Sequence, residues 1–448
     1  MFRGLPRHDG YAANNSPWLG ELPAHWTTER TKSLLIERVE KGYPDEALLA
    51  ATQSHGVIRK SDYGTRTVTA SKDLHLLKLV DIGDFVISLR SFQGGIERCY
   101  HRGIISPAYT VLTARSAVYR DYLTFLFKSK PFISSLTLAV TGIREGQNID
   151  YSMLAVDLLP VPPVEEQAAI VKYLTHANAR IDKAIAAKRR LIALLREQRV
   201  QRRHELILKG LEPSVRFRES GIKWIGDFPE HWKIVRVKQL TQNLDSRRIP
   251  LDTVERGKMS SRIYDYYGAS GVIDKVEDYI FDETLVLLAE DGANLVLRNL
   301  PLVLRVDGKF WVNNHAHVLR VVSADVDYLV QRLELLDYRP WITGAAQPKL
   351  TGDRLMSIPI SMPPLDEQRS IMEQLSTEFA EIDTARERLS AEIELLQEFR
   401  TRLVADVVTG QVDVRAIAAT LPDAPESFDN TVSATDDDLE EALSEGEE

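Results

Sequence analysis

The chain is written twice, and this duplication constrains its architecture more than any single motif does. Trp18-Leu19-Gly20-Glu21-Leu22-Pro23-Ala24-His25-Trp26 returns 206 positions later as Trp224-Ile225-Gly226-Asp227-Phe228-Pro229-Glu230-His231-Trp232, with Trp, Gly, Pro, His and Trp kept in place. A second match sets Pro162-Pro163-Val164-Glu165-Glu166-Gln167 against Pro363-Pro364-Leu365-Asp366-Glu367-Gln368 at an offset of 201. The same offset pairs Ile181-Asp182 with Ile382-Asp383, and Glu197 and Arg199 with Glu398 and Arg400. A unit of about 200 residues therefore stands in tandem. The 448 residues, 44% of them apolar, supply enough core for two domains.

Each copy closes with a long helical pattern. Pro162-Pro163 and Pro363-Pro364 sit where proline is tolerated at a helix start, and the acids that follow complement the positive end of the helix dipole. In the second copy Leu375, Ile382, Leu389, Leu396 and Leu403 fall seven apart, with Phe379, Ile393 and Val407 on the companion position. In the first, Leu174, Ile181 and Leu195 keep the same phase beside Ile185, Ile192 and Leu206, but Lys188 and Arg202 interrupt it. Two helices of about 45 residues, about 65 Å each, are expected to pack as an antiparallel coiled coil.

Between these landmarks the copies diverge. Short apolar runs with turns read as strands at 84–90, 104–112, 271–273, 284–289 and 317–322, and helical stretches follow at Asp121 to Phe127 and Asp327 to Leu336. The fold class is α+β: two tandem α+β domains, each followed by a long helix. The expected boundaries are a first domain at 1–160, a central helix at 161–212, a second domain at 213–360, a C-terminal helix at 361–415 and a disordered acidic tail at 416–448.

The net charge of −9 argues at first against a nucleic-acid partner, but its distribution does not. Residues 421–448 hold eleven Asp or Glu and no Lys or Arg, a self-repelling run that cannot bury apolar surface. Residues 1–220 carry a basic surplus and residues 221–420 an acidic one. The single cysteine, Cys99, excludes an internal disulfide and a cysteine zinc cage, which suits a reducing cytoplasm. No apolar run reaches membrane-spanning length, and the first ten residues lack the apolar stretch of a signal peptide.

Two units that agree in scaffold and differ in their domains suggest one supporting task done twice and a recognition task done differently each time. Readers held apart by rigid helices suit a double-stranded polymer, because half-sites must be met at a fixed spacing. The Trp18 to Trp26 and Trp224 to Trp232 segments, the helix starts at 162 and 363, and the ending Val408-Thr409-Gly410-Gln411-Val412-Asp413-Val414 are similar to specificity subunits of type I restriction-modification systems. So is Tyr266-Tyr267-Gly268-Ala269-Ser270-Gly271-Val272-Ile273 with Ala289-Glu290-Asp291-Gly292-Ala293-Asn294, and the resemblance spans residues 16–415. It implies a subunit without an active site that reads a bipartite, asymmetric site in double-stranded DNA, one half per domain. The helices would set the spacer and dock two methyltransferase subunits, and through them the restriction/translocase subunits. S-adenosylmethionine, ATP and Mg would be held by those partners, and no membrane is involved. The alternative is a non-enzymatic coiled-coil adaptor bridging other proteins.

The residues agree by what they lack. No Gly-x-x-x-x-Gly-Lys-Ser/Thr loop is present to hold ATP phosphates, and no His-Glu-x-x-His to hold zinc. The Pro-Pro pairs are flanked by Val161 and Val164, and by Met362 and Leu365, so they lack the polar and aromatic neighbours with which an amino-methyltransferase grips its base. Asp45-Glu46 has no following acid-x-Lys for a metal-dependent nuclease.

Base edges call for fork-like donors and amides on close-approaching loops. In the first domain the candidates are Ser88, Arg90, Gln93 and Arg98 around Gly94 and Gly95, whose missing side chains would let the backbone approach phosphate, and Arg144, Gln147 and Asn148 in a second loop. In the second they are Asn294, Asn313, Asn314, His315, Gln347 and Lys349. The plain alternative for each is a turn cap. His315 and His317 alternate as strand neighbours do, but no Cys or adjacent acid completes a metal site, and no metal ligand is assigned. Trp18, Trp26, Trp224 and Trp232 read as structural lids. The basic face of the first helix (Lys188, Arg189, Arg190, Arg196, Arg199, Arg202 and Arg203) either follows phosphates or is simply solvated.

Overall fold

A computed structural model describes residues 4–53, 55–62, 73–89, 91–137, 140–141, 148–291, 293–344 and 348–423, the side chains of 92, 140, 141 and 148 apart. The tail expected at 416–448 therefore lies outside the described residues from 424 on; before it, Arg415–Thr420 is a short helix.

The chain divides into two compact units, Met1–Lys188 with Ser390–Glu448, and Arg189–Leu389. The dividing line falls within both long helices, Val164–Lys209 and Leu365–Val408, and not at their ends as the expected boundaries had it. The reason is packing. Ile170, Tyr173, Leu174 and Ala177 from the first helix and Leu403, Val404, Val407 and Val408 from the second are buried in the core of the first unit. Leu206 and Ile207, with Ile371 and Leu375, are buried in that of the second.

The helix segments run antiparallel within each unit, as their ion pairs show. Asp182 meets Arg400 and Lys188 meets Glu392 in the first unit. In the second, Arg199 lies 3.0 Å from Asp383 and Arg202 lies 2.8 Å from Glu378. Lys188 and Arg202, which break the heptad stripe, are thus the positions that face an acid on the other helix, a device that favours one register over its neighbours.

In the first unit a four-stranded antiparallel sheet runs in the order Leu35–Arg38, Thr110–Ala114, Phe85–Ile87, Glu97–Arg98. The second unit repeats that order with Thr241–Asn243, Ala316–Val321, Leu285–Ala289 and Val303–Val306. The central strand is apolar on both faces because it is covered on both. Phe85 and Ile87 face the core that holds the helix Arg120–Phe127, while Val86 between them joins Leu49, Val57, Val80 and Ile105 on the other side. In the second unit Val286 and Leu288 face the helix Val326–Glu334, while Leu285 and Leu287 pack with Phe281, Phe310 and Val312 of a second sheet. Alternation with period two thus sorts one strand between two cores. No helix among the described residues is long and apolar enough to cross a membrane.

Candidate nucleic-acid interface

The duplicated motifs meet in space. His25 Nε2 is 2.7 Å from Glu166 Oε2, and His231 Nε2 is 2.8 Å from Glu367 Oε2, so each Trp segment is tied to the start of its own unit's long helix. Behind them, Gln167 and Gln368 donate through Nε2 to the carbonyls of Pro162 and Pro363, at 2.8 and 2.9 Å. The ends of the helices are received in the same way. The buried Tyr122 hydroxyl donates to the Val408 carbonyl at 2.9 Å, and the buried Tyr328 hydroxyl to the Ile207 carbonyl at 2.9 Å, satisfying acceptors that a helix end leaves open. Gly410 and Gly210 then turn the chain with φ of +72° and +81°; a Cβ there would stand 2.5 Å from Pro23 Cδ, or 2.8 Å from Glu367 Oε1. Sequence reading missed these histidines and tyrosines as a framework, although the signal was present: both recur at an offset of 206, alongside partners that recur at 201.

The tryptophans belong to this framework. Trp26 and Trp232 are buried, Trp18 packs edge-on against Phe132 at 5.8 Å, and Trp224 against Trp341 at 5.1 Å.

On this framework the candidate readers occupy one topological place. In both units they lie just beyond the central strand and at the edge of its neighbour: Ser88 to Arg98 follow Phe85–Ile87, Asn294 follows Leu285–Ala289, and Asn313 to His315 precede Ala316–Val321. A four-residue helix stands at the same point in each, Ser91–Gly94 and Asn294–Leu297.

The second unit draws its candidates together. The Glu290 amide donates to the His315 carbonyl at 2.9 Å, and the Leu350 amide to the Glu290 carbonyl at 2.8 Å, which brings three loops side by side. His315 Nδ1 is 3.0 Å from both Asp291 oxygens, and Lys349 Nζ is 3.0 Å from Glu290 Oε1. Asn313 is buried and accepts from the His315 amide at 2.8 Å. The Asn294 amide is used within the protein, donating to Leu300 O at 3.0 Å and to Ser270 Oγ at 3.3 Å and accepting from Leu300 N at 2.9 Å. Asn314, His315 and Lys349 are exposed. Gln347 lies outside the described residues.

Beneath them is a charge network. Burial pushes the Glu290 carboxyl upward, but Arg248 at 2.5 Å and Lys349 at 3.0 Å hold it below the ordinary range. Burial likewise opposes ionisation of Asp245, and His317 at 2.6 Å keeps its carboxyl low. Asp245, Glu290 and His317 place ligand atoms within 4.8 Å of one another, yet Arg248 and Lys349 already neutralise the acids. The arrangement stiffens these loops from behind.

In the first unit the candidates are less assembled. The Ser88 amide donates to the Ser91 hydroxyl oxygen at 2.8 Å. Arg98 pairs with Asp121 at 2.6 Å and donates to Thr124 at 3.2 Å, against the helix beside it. Lys128 clamps the loop by donating to the carbonyls of Gln53 and Gly94 at 3.0 and 2.9 Å. The glycine pair serves packing: with φ of +86°, Gly95 could carry a Cβ only at 2.2 Å from the Phe127 carbonyl oxygen, and one on Gly94 would meet Gln53 at 2.7 Å. On the Cβ side of both glycines the close approach is to protein. Gln93 is exposed. Arg90, Arg144 and Gln147 lie outside the described residues, and Asn148 is described only in its backbone, paired with Thr141.

The basic face of the first helix is partly spent on acids: Lys188, Arg199 and Arg202 face Glu392, Asp383 and Glu378, while Arg190 and Arg196 are exposed.

Comparison with known proteins converges on one family. The family described as "Type I restriction modification DNA specificity domain" matches residues 229–395. A putative type I restriction enzyme specificity subunit of Haemophilus influenzae is 39% identical over 111 residues, which is 25% of this chain and spans only 28% of that protein's length. The type I restriction enzyme MjaVIII specificity subunit of Methanocaldococcus jannaschii is 25% identical over 70% of this chain and 75% of its own. Among solved structures, the HsdS subunit of Thermoanaerobacter tengcongensis has a TM-score of 0.51 at 14% identity, covering 88% of this chain and 99% of that one. A chain from a structure concerned with complex assembly of the type I restriction-modification system has a TM-score of 0.56 at 14% identity, covering 87% and 99%. These last two are likenesses of fold.

Proposed function

We propose, on the premise that this chain belongs to the specificity subunits of type I restriction-modification systems, that it reads a bipartite, asymmetric DNA sequence with one half-site assigned to each unit. The observation that carries the reading is the combination of one framework, held twice by His25 with Glu166 and His231 with Glu367, and unlike polar loops at the same strand end. A scaffold repeated in detail under faces that differ is the pattern expected when support is constant and the sequence read is not.

In the second unit Asn314, His315 and Lys349 carry base and phosphate contacts. With Nδ1 directed to Asp291, His315 presents Nε2 outward, as an acceptor when neutral and a donor when protonated. Gln93 takes the corresponding part in the first unit. The two long helices set the unspecified spacer and dock two methyltransferase subunits, and through these the restriction/translocase subunits. S-adenosylmethionine, ATP and Mg reside on those partners, and this chain performs no chemistry on DNA.

The test is domain exchange. With its methyltransferase partner the chain protects one split sequence, and replacing residues 241–357 by those of a relative changes one half of that sequence and leaves the other. An exchange that altered neither half, or a chain that enriched no sequence from random DNA with its partner present, would refute the reading and favour a protein-bridging adaptor.

A further inference from the structure

The repeated histidine–glutamate pair is completed differently in the two units. In the second, Glu367 Oε1 also accepts from the indole Nε1 of Trp232 at 3.2 Å. In the first, Trp26 Nε1 has no hydrogen-bond partner, and the free side of the buried Glu166 is met by His8 instead. The His8 side chain is 2% exposed, and its Nε2 stands 3.6 Å from Glu166 Oε1, beyond hydrogen-bond reach. Its Nδ1 is 4.0 Å from Asp413 Oδ2, and neither ring nitrogen has a hydrogen-bond partner. The position 206 residues on is Ser214, so the second unit has no counterpart.

A buried imidazole with two unused nitrogens beside a buried carboxylate is costly unless something joins them. We propose that His8, His25 and Glu166 bind a divalent transition-metal ion of the zinc class, fastening the N-terminal segment, the first Trp segment and the start of the first long helix to one another.

The geometry suits such an ion. The ligand atoms of the three residues lie within 4.8 Å of one another. Tetrahedral zinc with bonds of about 2.0–2.1 Å holds its ligand atoms roughly 3.4 Å apart. His8 Nε2 stands 3.6 Å from Glu166 Oε1, close to that spacing, while the 2.7 Å contact of His25 Nε2 with Glu166 Oε2 must open. Two imidazoles and a carboxylate suit zinc, cobalt or nickel; calcium and magnesium seek all-oxygen sites. Asp413 stands behind His8 at 4.0 Å from its Nδ1, and Arg415, the nearby opposing cation, is itself paired with Asp413 at 2.7 Å. Burial lowers the His8 pKa against the pull of Glu166 and Asp413. His25, 41% exposed, leaves one side open for water as a fourth ligand.

The test uses the full chain without a histidine tag, stripped by chelator and titrated with cobalt(II). One tight site per chain with the visible absorption of tetrahedral cobalt is expected, and zinc should displace it. His8→Ala and His25→Ala should each weaken binding by at least about tenfold, while His231→Ala, at the matching position of the second unit, leaves it unchanged. Circular dichroism checks that each variant keeps the fold. Zinc should also raise the Tm of the parent chain and not that of His25→Ala. Absence of tetrahedral cobalt absorption, binding retained in both first-unit variants, or equal loss in His231→Ala would overturn the proposal. None of these readouts involves DNA, so their failure leaves the sequence-reading role untouched.

Discussion

Tyr122 and Tyr328 each receive a helix end at 2.9 Å, and Gln167 and Gln368 each close a Pro-Pro turn at 2.8 and 2.9 Å, so at these contacts the two units match. At the loops beyond the central strand a short helix recurs, but the side-chain contacts do not. The first unit has a serine and glycine turn clamped by Lys128, and the second an Asp291–His315 pair over a buried Arg248–Glu290 contact. The framework residues bond mainly to backbone or to each other, so both partners are fixed by the fold and repeat together. Of the loop residues, Asn314, His315 and Lys349 are exposed, so the core places fewer constraints on them. The long helices show an intermediate case: where the second unit has the pair Arg202 and Glu378, the same register positions of the first are Leu403 and Ala177, both buried.

The largest test of this contrast is Trp232→Ala. The ring is 1% exposed and donates to Glu367, so the loss should be about 3–5 kcal/mol in urea unfolding. Trp26→Ala should cost less, because Trp26 is 8% exposed and its Nε1 donates to nothing; the reverse order would break the comparison. Next come Tyr122→Phe and Tyr328→Phe, each leaving a buried helix-end carbonyl without its donor at a cost of about 1–3 kcal/mol. Similar values for the two sharpen the equivalence, and a difference of more than ~1 kcal/mol denies it.

On DNA, His315→Ala should relax discrimination at one base pair of the second half-site by about 1–3 kcal/mol. Lys349→Ala should weaken all sequences alike and lower the salt slope by about 1. Selection from random DNA at two salt concentrations checks both, and a change in the first half-site would contradict the assignment.

The smallest effect is at Glu378, whose hydrogen bond from Arg202 outweighs its desolvation and holds the carboxyl at about 2, down from 4.5. The pair stabilises the fold above the unfolded value, and that contribution is lost as pH falls from 4.5 toward 2. Glu378→Gln should therefore cost below about 1 kcal/mol at neutral pH, for a partly exposed pair, and nothing near pH 2. The double change Arg202→Leu with Glu378→Ala, which installs the pair of the first unit, should restore or exceed the parental stability.

Repetition made the helices, the Trp segments and the helix starts legible in the sequence, because identity at fixed offset needs no structural knowledge. The central strands were legible as well, since a strand covered on both faces is a continuous apolar run, as Leu285 to Leu288 show. The shared sheet order was not, because hydrogen bonding along a ladder leaves side-chain identity open. The pairing of His25 with Glu166 escaped notice because 141 residues separate them. Gly94 and Gly95 suggested an approach to phosphate, whereas their neighbours are Gln53 and Phe127, which sequence spacing alone does not bring near.

Leu403, Val404, Val407, Val408, Val414 and Ala418 lie in the same core as Leu19, Leu35 and Phe85, while Arg189–Leu389 is one uninterrupted stretch. During synthesis the usual order of folding is thereby inverted. The second unit is complete as soon as it has emerged, and the first must wait, with apolar surface uncovered, until the last helix arrives from the other end of the message. A product that stops near Leu389 would carry a finished second unit beside an unclosed first.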